Sequence, residues 1–229
     1  MQPLVVSEVF GPTLQGEGPS LGRPCAFVRL GGCNLDCAWC DTPYTWDWTR
    51  FSPRDELRSL QAADVLAQLA GMPVDMLVIS GGEPMLQQDR LVPLLEGVRA
   101  SGWRIEIETN GTIAPTPEVA GLVDQFTVSP KLANASIAEH RRLVDHALTA
   151  FRDCGKACFK FVVAQPGDLD EVDALVERLG LEPVFIMPEA VDAEGVLAGM
   201  VRLADAVVQR GYRLTPRLHL LLWGNARGR

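Results

Sequence analysis

The sequence predicts an α/β protein built on a largely parallel sheet, in a single domain spanning residues 1–229. Three observations lead there. Apolar runs of strand length alternate with amphipathic stretches of helical period, which is the pattern of parallel strands joined by right-handed crossovers. The chain has 229 residues, 47% of them hydrophobic, enough for one large core. Polar and glycine-rich motifs directly follow successive strand candidates, where barrels and open sheets alike gather their ligands.

Strands are expected at 76–79, 104–108, 125–129, 158–163, 183–187 and 212–215, each rich in β-branched or large apolar residues and bounded by turn signals. Helices are expected at 89–100, 136–152, 169–179 and 193–210, where apolar residues recur at helical spacing. Upstream, Cys25 leads the apolar run Ala26-Phe27-Val28 and is expected in the core. The aromatic-rich stretch from Trp39 to Trp48 is expected to be a loop, with Trp46 and Trp48 as core or subunit contacts. Six strands are too few for a complete eight-stranded barrel. Periodicity alone does not choose between an incomplete barrel and a doubly wound open sheet.

Charge and hydropathy exclude two classes of function. A net charge of −8 with no run of Lys or Arg argues against a sequence-independent nucleic-acid binder, which draws on clustered positive charge. No apolar segment reaches the 18 residues of a membrane-spanning helix. The start, Met1-Gln2-Pro3-Leu4-Val5, has no basic region followed by an apolar run, so no signal peptide is expected and a reducing cytoplasm is the expected compartment.

The chemistry concentrates in Gly31-Gly32-Cys33-Asn34-Leu35-Asp36-Cys37-Ala38-Trp39-Cys40-Asp41-Thr42, where three cysteines stand at C-x3-C-x2-C spacing. Thiolates bind soft metals, and the leading glycines let the backbone fold around the sulfurs. An ordinary electron-transfer [4Fe–4S] site uses four cysteines, so a compact group of three suggests a cluster with one iron left open. A structural zinc site would need a fourth Cys or His, and His140, His146 and His219 are remote in sequence. Cys154 and Cys158 repeat a C-x3-C spacing, for which the core reading is preferred to a second cluster.

The run Met76-Leu77-Val78-Ile79 closes on Ser80-Gly81-Gly82-Glu83-Pro84, a buried strand opening into a tight turn whose paired glycines allow close approach to a ligand. Taken alone, a strand-to-helix turn with Pro84 at the helix start explains this segment equally well. Glu108-Thr109-Asn110-Gly111, Ser129-Pro130-Lys131 and Met187-Pro188-Glu189 follow later strand candidates in the same way. Each alone reads as an ordinary turn or cap. Together they outline one pocket.

The cysteine loop and the segment at Ser80–Pro84, in that order, resemble those of radical S-adenosylmethionine (SAM) enzymes. That resemblance implies an incomplete (β/α)6 barrel of radical SAM type with a covering N-terminal segment. It implies that Cys33, Cys37 and Cys40 hold a [4Fe–4S] cluster whose fourth iron is chelated by SAM. It places SAM contacts at Trp39, Cys40, Asp41, Gly82, Glu83, Ser129, Pro130 and Lys131, with Trp39 against the adenine.

Thr13-Leu14-Gln15-Gly16-Glu17-Gly18, Gly22-Arg23-Pro24 and Arg29 closely resemble the 7-carboxy-7-deazaguanine synthase family, with further matches at residues 80–87, 107–111 and 129–131. That resemblance implies conversion of 6-carboxy-5,6,7,8-tetrahydropterin to 7-carboxy-7-deazaguanine with loss of ammonia. Cleavage of SAM by the reduced cluster would start it, with hydrogen taken from C6. The pterin substrate is expected at Leu14, Gln15, Gly16, Glu17, Arg29 and Ser80. Gln15 offers a donor and an acceptor, Glu17 an acceptor for ring N–H groups, and Arg29 a bidentate partner for the carboxylate. Mg²⁺ is expected at Thr42, supported by Asp41, with substrate oxygens and waters completing its shell. The same resemblance implies a flavodoxin or ferredoxin-type reductant and a homodimer. A glycyl-radical activating enzyme and a non-catalytic iron–sulfur carrier remain as alternatives. The tail from Trp223 to Arg229 is longer and more basic than in some relatives whose chain end approaches the substrate.

Overall fold

In the computed structural model, which describes residues 2–228, an N-terminal hairpin leads into the alternating pattern. Met1 and Arg229 lie outside the described residues. The chain runs through β1 (Leu4–Leu14), β2 (Pro24–Leu30), α1 (Pro53–Glu56), β3 (Arg58–Leu60) and α2 (Ala62–Leu69). It continues with β4 (Met76–Gly81), α3 (Gln88–Ala100), β5 (Arg104–Thr109), α4 (Pro117–Leu122) and β6 (Gln125–Val128). Then come α5 (Glu139–Arg142), α6 (Asp145–Asp153), β7 (Ala157–Val163) and α7 (Leu169–Leu179). β8 (Val184–Pro188), α8 (Ala193–Gln209), β9 (Arg213–Leu214) and α9 (Leu218–Trp223) complete it.

One sheet contains all these strands in the order β3-β1-β2-β4-β5-β6-β7-β8-β9. From β2 to β9 every neighbouring pair is parallel. β1 is antiparallel to both β2 and β3. The two edge strands do not pair with each other, so the sheet stays open as an incomplete barrel.

Side-chain alternation divides the sheet into two faces. Ala26, Val28, Leu77, Ile79, Ile105, Ile107, Phe126, Val128, Phe159, Phe161 and Ile186 point to the helices and form the main core. Phe126 and Phe151, on β6 and α6, meet edge to face at 5.1 Å. Truncating such a buried Phe to Ala costs about 3–5 kcal/mol. The parallel registers Phe27↔Val78↔Glu106 and Glu108↔Thr127↔Cys158 keep one set of residues together on the opposite face. That face is apolar at one end, where Cys25, Phe27, Met76 and Val78 pack together. Toward the strands' C-terminal ends it carries Arg29, Ser80, Glu108 and Lys160, which line a cavity.

Four features differ from the sequence-based expectations. The apolar run at Ala26 is β2, first of the parallel series, and the N-terminal segment extends the sheet through β1 rather than only lying over it. The strand expected at 212–215 is reduced to two residues at the sheet edge. The helix expected at 136–152 is divided into α5 and α6, with extended backbone at Leu143 and Val144 and a left-handed Ser136. Buried Arg142 explains that break: it donates to the carbonyls of Lys131 and Ile137 and to Glu171, contacts that helical periodicity does not encode. Trp46, expected in the core or at a subunit contact, instead lines the cavity.

Candidate active site

The cavity, about 490 Å³, opens at the C-terminal ends of the parallel strands. That is within the usual range of about 300–1,000 Å³ for small-molecule sites. Cys33, Cys37 and Cys40, on the loop after β2, form part of its wall. The backbone ties this loop to the end of β4: Gly82 N–H donates to Leu30 O at 3.0 Å and Glu83 N–H to Gly32 O at 2.8 Å. A Cβ on Gly82 would overlap the Gly32 carbonyl and crowd Cys33, so this close approach requires glycine. The two motifs, separated in the sequence by 37 residues, are thus one structural unit.

The donor set fits an iron–sulfur cluster. Leu35 N–H donates to the Cys33 sulfur at 3.4 Å and the Trp46 ring N–H to the Cys40 sulfur at 3.2 Å. Such hydrogen bonds tune a thiolate-held cluster. Burial pushes the Cys33 thiol up to about 12 and raises Cys37, so iron binding must displace their protons. Thr42 is buried in the same wall, with its hydroxyl 3.8 Å from the Cys40 sulfur. It fits Mg²⁺ as a single hard oxygen ligand, leaving the rest of the shell to waters and substrate oxygens.

Next to the cysteines, Trp39 donates its ring N–H to Asn134 at 3.2 Å, and the Lys131 ammonium lies 5.4 Å from its ring centroid. Lys131 also donates to the Ser129 hydroxyl at 2.9 Å. Trp39, Asp41, Gly82, Ser129 and Lys131 line the cavity together with the three cysteines. Pro130 and Glu83 do not line it. The Glu83 side chain is 0% exposed and serves as a crosslink, accepting from Met85 N–H at 2.9 Å, Thr109 Oγ1 at 2.7 Å and Asn110 N–H at 2.7 Å. Burial raises its pKa against these three donors. The carboxylate of Glu83, a residue expected among the SAM contacts, is thus engaged by these three protein donors.

Leu14, Gln15, Gly16, Glu17, Arg29 and Ser80 all line the same cavity. Arg29 donates through Nε to Glu8 at 2.8 Å, and its Nη1 lies 3.4 Å from the Ser80 hydroxyl. Glu8 thus holds one edge of the guanidinium, leaving the other for an anion. Gln15 donates through its amide to Glu108 Oε1 at 3.0 Å. Glu17, expected as an acceptor for ring N–H groups, is engaged by protein cations. One of its oxygens is ion-paired to Lys160 and the other is 3.5 Å from Arg217 Nε. Although burial opposes its charge, these cations hold its carboxyl at about 2.

Sequence reasoning missed several residues in this wall. Glu108 lies near Lys160 and Glu17, and burial raises its pKa. Strict alternation in Ile105-Glu106-Ile107-Glu108 is a signal for a polar inward face on β5. Lys160 interrupts an otherwise apolar strand, a signal in itself. Arg217 pairs with Asp41, so the residue expected to support Mg²⁺ is already engaged. His219 lies beside Gly16, and burial lowers its pKa. Neither Arg217 nor His219 belongs to a motif, and only folding brings them to the cavity.

The radical SAM superfamily model matches residues 27–179. A 7-carboxy-7-deazaguanine synthase of Pyrobaculum aerophilum is 42% identical, over 98% of this chain and 96% of that protein. The synthase of the same name from Bacillus subtilis is 30% identical, over 97% of each. Among solved structures, QueE from Escherichia coli superposes with a TM-score of 0.70 and 28% identity over 93% of both chains.

Proposed function

The chain belongs to the radical SAM superfamily and, within it, to the 7-carboxy-7-deazaguanine synthases, and we propose that its strand-end cavity is where the pterin reacts. The enzyme is a radical SAM carbon–nitrogen lyase that forms 7-carboxy-7-deazaguanine and ammonia from 6-carboxy-5,6,7,8-tetrahydropterin. Full-length similarity to proteins of that name favours this reading over a glycyl-radical activating enzyme or an iron–sulfur carrier.

When bound, the cluster and SAM supply a 5′-deoxyadenosyl radical able to take hydrogen from C6 of the substrate. Cys33, Cys37 and Cys40 hold the cluster, and Thr42 holds Mg²⁺. Trp39, Asp41, Gly82, Ser129 and Lys131 hold SAM, with the Trp39 ring and Lys131 forming one side of its site. Leu14, Gln15, Gly16 and Ser80 orient the pterin. Arg29 takes its carboxylate on the edge that Glu8 leaves free. Glu108, anchored by Gln15 through one oxygen, offers the other to ring N–H groups. The protein's part is to position the reactants and exclude water.

The observation that carries this reading is the shared wall: Arg29 and Gln15 line one cavity with the three cysteines. Arg29→Ala is expected to weaken binding of the carboxylated pterin by about tenfold or more, roughly 1.4 kcal/mol, while barely affecting a pterin without the carboxylate. Equal weakening of both by calorimetry would remove Arg29 from the carboxylate site.

Finer features belong to the same proposal. The chain works as one domain in the cytoplasm, reduced by a flavodoxin or ferredoxin-type protein. It forms a homodimer, supported by the outward stripe of Leu197, Val201 and Val208 on α8, the latter two 80% and 77% exposed. Among the described residues no helix is long and apolar enough to cross a membrane.

A further inference from the structure

β7 reads Ala157-Cys158-Phe159-Lys160-Phe161-Val162-Val163, and Lys160 is its one charged residue, 5% exposed. A buried ammonium costs several kcal/mol unless it is paired. A Met or Leu would fill this position in the sheet without that cost. Its partner is Glu17, far away in sequence on the segment joining β1 to β2. The fold therefore keeps a costly cation whose contact is with a segment expected to bind substrate.

The contacts continue beyond the pair. Glu17 N–H donates to the Gln15 side-chain oxygen at 3.3 Å, while the Gln15 nitrogen donates to Glu108 at 3.0 Å. Both ends of the Gln15 amide are thereby fixed. The Gly16 carbonyl accepts from Leu218 N–H at 2.9 Å, and a side chain at Gly16 would press on His219. Arg217, the second cation near Glu17, also serves Asp41 and the Ala190 carbonyl. Lys160 is the cation on the sheet itself that pairs with Glu17.

We infer that Lys160 is a positioning residue: it clamps Glu17 to the sheet and so fixes the Gln15 side chain and the Gly16 backbone for substrate. The inference rests on the assignment of this cavity to a pterin. Lys160 is poorly suited to donate a proton, because Glu17 and Glu108 raise its pKa although burial opposes its charge. Its contribution is geometric, and it should appear in binding more than in the chemical step.

The test uses cluster-loaded enzyme carrying K160Q, K160R, E17Q and the K160Q/E17Q pair. Iron content and SAM binding serve as controls. K160Q is expected to raise KM for 6-carboxytetrahydropterin about tenfold with a smaller change in kcat, and K160R to stay within about threefold of wild type. The double variant should be no worse than the weaker single one, since both changes remove one interaction. Hydrogen exchange in the absence of substrate should be faster at residues 15–18 in K160Q and E17Q. Unchanged KM and exchange in K160Q, or effects that multiply in the double variant, would overturn the inference. Should K160Q fail to load its cluster, E17Q decides: unchanged exchange at residues 15–18 overturns the clamp. A wild type that does not turn over this pterin, with faster exchange in K160Q, rejects the substrate and retains the clamp.

Discussion

The guanidinium carbon of Arg227 lies 3.7 Å from the centroid of the Tyr44 ring, joining the C-terminal tail to the short turn that follows the cysteine loop. Arg227 also pairs with Glu8 at 3.1 Å and Glu56 at 2.9 Å. Glu8 in turn accepts from Arg29 at 2.8 Å and from the Tyr44 hydroxyl at 3.1 Å. The basic tail is therefore joined to Arg29 through one shared carboxylate, and residues 225–228 line the cavity.

Arg227→Ala should accordingly raise KM for the pterin several-fold while leaving the fold intact. Its side chain is 49% exposed, so its ion pairs and ring contact together stabilise the protein by no more than about 1–2 kcal/mol. Thermal unfolding and steady-state kinetics measure the two effects separately. A large loss of stability with unchanged KM would make the tail a structural strap only.

Each of Cys33→Ala, Cys37→Ala and Cys40→Ala should abolish cluster loading, because three thiolates are needed to hold three irons. Cys154→Ala and Cys158→Ala should load normally: Cys154 donates to the Phe151 carbonyl and Cys158 is buried beside Thr127. Iron analysis after anaerobic reconstitution decides. About eight irons per chain, or a retained cluster in the Cys37 variant, would contradict the single-cluster reading.

The legible parts of the molecule were those with local signals. The cysteine spacing, the Gly-Gly turn and the strand period each follow from short-range chemistry, and Met76–Gly81, Arg104–Thr109 and Leu169–Leu179 lie where the pattern places them. β1 was missed because Gly11 and Pro12 interrupt its apolar alternation and its pairing with β2 carries irregular register. The ion pairs of Glu17 have no local signal, because its two cations lie on β7 and after β9, remote in sequence. The Gly-Gly-Glu motif does not say which way the Glu83 side chain turns. In this chain it turns to Thr109 and Asn110.

Thr42→Val keeps approximate shape and removes one hydroxyl. Cluster content and SAM cleavage should persist, whereas product formation should fall and lose its normal response to Mg²⁺. Titrating Mg²⁺ against turnover in both proteins checks this. Identical turnover and identical Mg²⁺ dependence would remove Thr42 from the metal site.

In the proposed function, one cavity brings a pterin carboxylate to Arg29 within reach of a SAM-bound cluster. The most direct measurement incubates the anaerobically reconstituted enzyme with 6-carboxytetrahydropterin, SAM, Mg²⁺ and a low-potential reductant, and follows products by mass spectrometry. The expected products are 7-carboxy-7-deazaguanine and ammonia in equal amounts, with SAM largely recycled. Only 5′-deoxyadenosine and methionine, with no deazapurine, would contradict it.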